Sequence, residues 1–114
     1  MKRLEAIALT PNQYQALAQL RRRLFDEFDI ESLILYGSVA RGEADQESDL
    51  DLLIVTPDPL TRPKRHEITD LVFEINLRYG TNLSTLVVDR RSWEAGAIAV
   101  LPLREEILMD GIAL

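Results

Sequence analysis

The chain has 114 residues, 46% of them hydrophobic, with no cysteine and a net charge of −6. That length supports one core and leaves no room for a separate substrate domain, so a single domain over residues 1–114 is expected. The acidic balance argues against general nucleic-acid binding, the absence of Cys removes disulfides, thiolate metal sites and cysteine nucleophiles, and no run is apolar enough for a membrane span or a signal peptide; a soluble, cytoplasmic protein is expected.

Thr10-Pro11-Asn12-Gln13 reads as a helix start. Threonine caps, proline fits the first turn, and Gln13 can complete a capping box. Tyr14, Leu17, Leu20, Leu24 and Phe28 then recur at helical spacing and read as core. Leu33 to Tyr36 is a short apolar run expected as a buried strand. Gly37 ends it, a short helical turn runs through Val39 to Arg41, and Gly42 releases the chain into the polar turn Glu43 to Glu47. Ser48 to Val55 reads as the second strand. Leu50, Leu52 and Ile54 are expected to bury on one face, leaving the acids on an exposed one.

Thr56-Pro57-Asp58-Pro59 is a turn, and a second long helix carries Ile68, Leu71, Val72, Ile75 and Tyr79 as its buried stripe until Gly80 stops it. His66, near its start, is isolated and reads as a surface residue. Leu83 to Val88 is the next strand, Ser92 is expected to cap a short helix with Trp93 packed inward, and Leu103 to Asp110 is expected to be helical. The basic clusters Arg21 to Arg23, Arg62 to Arg65 and Arg90-Arg91 read as helix-surface charges.

The chemistry concentrates between residues 37 and 55. Gly37 lets the backbone turn sharply and approach a ligand closely, and Ser38 offers a hydroxyl and an N–H, so an anion fits that corner. Arg41 is either a phosphate contact or a surface ion pair. Side chains alternate along a strand, so Asp49 and Asp51 share a face roughly 7 Å apart and can share a hard cation such as Mg²⁺. Two rival motifs fail on the same residues. A P-loop needs Lys and Ser or Thr where Glu43 and Ala44 stand, and a calcium loop needs glycine and glutamate where Leu50 and Thr56 stand.

Gly37-Ser38, ten residues, then Asp49-Leu50-Asp51 resembles the signature of the nucleotidyltransferase superfamily that includes DNA polymerase β. Within it the chain is most similar to the minimal nucleotidyltransferases, small proteins often encoded beside a HEPN-domain partner. The terminal residues Gly111 to Leu114 also resemble their edge strand. The resemblance covers most of the chain and is specific in residues 37 to 55. It implies an α/β (α+β) fold of the polymerase β palm-like type, a small mixed β-sheet with flanking helices. It also implies Mg²⁺-dependent transfer of AMP from ATP to a hydroxyl acceptor, a tyrosine of a HEPN-domain toxin, with this chain as antitoxin, and a homo- or hetero-oligomer is compatible with that role. Catalysis and metal binding would then rest on Asp49 and Asp51, and nucleotide contacts on Gly37, Ser38, Arg41 and Ser48.

Active members of that superfamily carry a third carboxylate on a later strand, and here the Leu83 to Val88 interior has none. Asn82 and Ser84 occupy the region, and Asp89 stands at its far end. Glu74 lies on a polar helix face and reads as an ion pair with Arg78. A chain that binds nucleotide and partner without turnover is therefore the alternative. Modification of an aminoglycoside or another small molecule is a third reading, and it would require a dimer to supply the missing substrate domain.

Overall fold

The computed structural model describes residues 7–42 and 49–114. Thr10 starts helix α1 (Pro11–Glu27) through a reciprocal capping box: its hydroxyl accepts from the Gln13 N–H at 3.1 Å, and the Gln13 side chain accepts from the Thr10 N–H at 2.9 Å. Strand β1 (Ser32–Tyr36) runs into a single helical turn, α2 (Gly37–Ala40), and strand β2 (Leu50–Thr56) follows. Thr61 caps helix α3 (Arg62–Tyr79), which ends at Gly80 in the left-handed conformation, φ 65°. Strand β3 (Leu83–Asp89), helix α4 (Arg90–Ala95), a 3₁₀ turn (Ala97–Val100), helix α5 (Pro102–Asp110) and strand β4 (Ile112–Ala113) complete the order.

The strands form one mixed sheet in the order β3-β2-β1-β4, with β2 parallel to β3 and the other pairs antiparallel. This is the expected mixed sheet with flanking helices. Register sorts its side chains into two faces. Leu33 and Leu35 of β1, Leu50, Leu52 and Ile54 of β2 and Leu83 of β3 pack with Leu17, Leu20 and Leu24 of α1 and Ile68, Leu71, Val72 and Ile75 of α3. The other face pairs Ile34 with Leu53 and Val55 with Val88, and these pack under Ile107, with Trp93, Ile98 and Leu103 partly buried against them.

That second layer corrects the expectation of an exposed acid-bearing face. Leu53 and Val55 share the face of Asp51, yet both are buried beneath the C-terminal helices. A strand covered on both sides needs a near-continuous apolar run, and Leu52 to Val55 supplies it. Only the entry to β2 stays open: Asp49 is exposed and precedes the strand, which begins at Leu50 rather than Ser48.

Other expectations shift locally. Asp89, not Ser92, caps α4, accepting from the Ser92 N–H at 3.1 Å and hydroxyl at 2.7 Å. Glu74 pairs with Arg23 of α1 at 3.3 Å rather than with Arg78, because α1 and α3 lie side by side. Tyr14 is 39% exposed, its hydroxyl donating to the Ile7 carbonyl, and Tyr79 is only half-buried. His66 is exposed, as read.

Because Leu53 is fully buried, Leu53→Ala should destabilise the protein by about 3 kcal/mol, the cost of a large-to-small change in a core. Chemical denaturation checks it, and a loss near zero would show that the C-terminal helices do not seal this face.

Candidate functional site

The site sits where β1 hands over to α2 and β2 begins. Tyr36 pairs with Asp51 across the β1–β2 ladder, and Asp51 pairs with Ser84 across the β2–β3 ladder. Partners in a ladder point to the same face, so Tyr36, Asp51 and Ser84 form one row across the sheet. Ser84 is exposed, while Tyr36 and Asp51 are half-buried.

Gly37 follows Tyr36 with φ 82°, a conformation side chains rarely adopt. A Cβ on Gly37 would overlap the Asp51 carboxylate. The glycine is therefore required twice, for its backbone angle and for the space that the aspartate occupies. The turn it makes brings Ser38 to the start of α2, which none of the described side chains caps.

Electrostatics single out Asp51. Burial at the rim of the second hydrophobic layer raises its carboxyl pKa, the negative charge of Asp49 raises it further, and Arg41 opposes both. The Tyr36 phenol is also raised, by burial first and by the charge of Asp51 second. Two carboxylates that repel one another, one of them partly desolvated, are what a divalent cation relieves; the donor set of hard oxygens fits Mg²⁺, which takes its remaining ligands from water and phosphates.

Of the residues expected at the site, Gly37, Ser38, Arg41, Asp49 and Asp51 come to this corner, and Ser48 lies outside the described residues, as does the Glu43 to Glu47 turn. The two third-acid candidates lie elsewhere. Glu74 is on α3, behind the opposite face, and Asp89 is spent as the α4 cap in register with Thr56, at the far end of the ladder. Among the described residues no cluster of three or more His, Cys, Asp or Glu could hold a metal. The position facing Asp51 from β3 belongs to Ser84. Tyr36 was not singled out in the sequence: its pairing with Asp51 crosses a connection containing α2, so no short-turn rule fixes that register.

A family model described as "Nucleotidyltransferase domain" matches residues 17–108. A Methanocaldococcus jannaschii protein named "Putative protein adenylyltransferase MJ1305" is 45% identical over 65 residues, which is 55% of this chain and 44% of that protein. The matched stretch thus spans under half of the relative's length. A solved structure described as "Structure of putative minimal nucleotidyltransferase" shares 26% identity at a TM-score of 0.55, covering 90% of this chain and 91% of that one. Another, described as a toxin-antitoxin with AMP-PNP, shares the fold at 17% identity and a TM-score of 0.57, covering 91% of this chain and 72% of that one.

The raised Asp51 pKa has a consequence for stability. The folded state holds this proton more tightly than the unfolded state, so the ionised carboxylate weakens the fold above its folded pKa and the penalty disappears as pH falls through the carboxylate range. Asp51→Asn should therefore melt higher than the parent at pH 7, with the gap closing at acid pH. A variant that melts lower at every pH would contradict this assignment.

Proposed function

This chain belongs to the nucleotidyltransferase domain family, and from that premise we propose that it transfers AMP from ATP to a tyrosine hydroxyl of a HEPN-domain toxin, acting as the antitoxin. The observation that carries the reading is the contact of Gly37 with Asp51: the backbone that would take phosphates and the carboxylate that would take the metal share one corner. The adenylyltransferase name of the archaeal relative and the AMP-PNP-bound toxin-antitoxin of similar fold support the donor and the kind of partner.

In this reading Gly37 and Ser38 hold the β- and γ-phosphates, Arg41 neutralises part of their charge, and Ser48 adds a nucleotide contact. Asp49 and Asp51 would hold Mg²⁺, which supplies charge neutralisation at the phosphates when bound. The acceptor oxygen forms a bond to the α-phosphorus as the α–β bridging bond breaks, and pyrophosphate leaves from the α2 side. The acceptor proton leaves to solvent in this reading, since among the described residues Ser84 rather than a carboxylate faces Asp51 from β3. Positioning and charge stabilisation carry most of such a reaction, and Gly37, Ser38, Asp49 and Asp51 would supply them.

The same acid-free β3 favours a second reading, a nucleotide-binding antitoxin that neutralises by complex formation alone. The two separate cleanly. With α-labelled ATP, Mg²⁺ and a HEPN-domain protein, the parent chain should label the acceptor, and Asp51→Asn should reduce labelling roughly 10²- to 10³-fold, the loss expected for one preorganised electrostatic group. Equal labelling by the variant would contradict the mechanism. Neutralisation that survives the double change Asp49→Asn with Asp51→Asn would establish the second reading.

A further inference from the structure

The row Tyr36, Asp51, Ser84 gives the site a direction, and this inference rests on the transfer reading above. The phosphate corner lies on the β1 side of Asp51, because Gly37 directly follows Tyr36. Displacement at phosphorus places the attacking and leaving oxygens roughly in line. With pyrophosphate leaving over β1 and α2, the attacking hydroxyl must arrive over β3, above Ser84.

A cleft of about 500 Å³ opens at that end of the sheet, lined by Thr10, Asn12 and Gln13 at the start of α1 and by Gly80, Thr81 and Asn82 ahead of β3. Asn82 joins it to the site: its carbonyl accepts from the N–H of Leu50, the residue between the two aspartates, at 2.9 Å. Helices α1 and α3 pack behind the opposite face, so the cleft lies at the sheet's end, with Asn82 both lining it and bonded to the start of β2.

Its walls are fixed before anything binds. The Asn12 amide donates to the Tyr79 carbonyl at 3.0 Å, tying α1 to the end of α3. The Asn76 side chain accepts from the Leu83 N–H at 2.8 Å and the Thr81 hydroxyl at 3.0 Å, and donates to the Leu83 carbonyl at 3.1 Å. Such preorganisation spares ordering entropy on binding. The lining carries no charged side chain and sets Pro11 among amides, hydroxyls and backbone, and the capping box already occupies the first turn of α1. A lining without a cation offers a phosphate no charge-assisted bond, whereas its mixture of apolar surface with backbone donors and acceptors matches a peptide.

We propose that the cleft between the start of α1 and the 80–82 turn docks the peptide segment of the protein acceptor that flanks its reacting hydroxyl, with Asn82 and Ser84 leading that hydroxyl to Asp51. The acceptor site then lies apart from the nucleotide corner, and one chain presents donor and acceptor from opposite sides of Asp51.

The exposed Asn12 sits on the α1 wall, so Asn12→Trp should fill the cleft, losing the bond to Tyr79 but not touching the nucleotide corner. With a HEPN-domain protein as acceptor, this variant should raise the KM for acceptor about tenfold and leave the KM for ATP unchanged. Asn82→Ala, which adds no bulk, is the control against misfolding and should raise the acceptor KM in the same direction, with melting curves verifying both folds. A rise in the KM for ATP alone would assign the cleft to the nucleoside, and unchanged constants would show that the cleft is idle; either overturns the proposal. Should the parent bind the acceptor by calorimetry without labelling it, the transfer reading fails, while loss of that binding in Asn12→Trp would still support the cleft and retained binding would refute it.

Discussion

The contact of Gly37 with Asp51 is the constraint on which the site depends. A left-handed glycine at the end of β1 lets the chain reverse into α2, and the lack of a side chain lets the carboxylate of the neighbouring strand fill the space. Any larger residue would move the backbone corner and the carboxylate apart. The ladder places them in contact because Tyr36 pairs with Asp51, a register fixed by the buried pairs Ile34 with Leu53 and Leu35 with Leu52. Slipping it by one residue would turn both apolar sets to the wrong faces. The hydrophobic layers thus set the geometry of a polar site.

The second layer also sets the site's electrostatics. Trp93, Ile98, Leu103 and Ile107 cover Leu53 and Val55 and leave Asp51 at the rim, where burial and Asp49 together disfavour its charge. The free protein holds two acids in an arrangement that costs stability. A cation bound there would remove that cost, which couples the fold to its ligand in a direction that evenly solvated aspartates would not show.

Much of this was legible in the sequence because the relevant signals are local. The Thr10–Gln13 capping box, the Gly80 stop, the apolar run of β1 and the burial of Leu50, Leu52 and Ile54 follow from short-range rules, and the structure agrees with them. The site corner was equally local: Gly37, Ser38 and the Asp49-Leu50-Asp51 triplet lie within one stretch of chain. What escaped depends on partners far apart in sequence. Glu74 finds Arg23 on α1 because two helices pack together, Asp89 displaces Ser92 as a cap because β3 runs one residue further than its apolar run, and the cover over Leu53 comes from helices some fifty residues later, which no periodicity in β2 could reveal.

The central claim, that one corner built by Gly37 and Asp51 holds both phosphates and metal, is tested most directly by a crystal structure of the chain with Mg²⁺ and AMP-PNP. The cation is expected between the Asp49 and Asp51 carboxylates and the terminal phosphates against the Gly37–Ser38 backbone, on the β1 side of Asp51. A nucleotide bound with its phosphates over β3, or away from both aspartates, would contradict it.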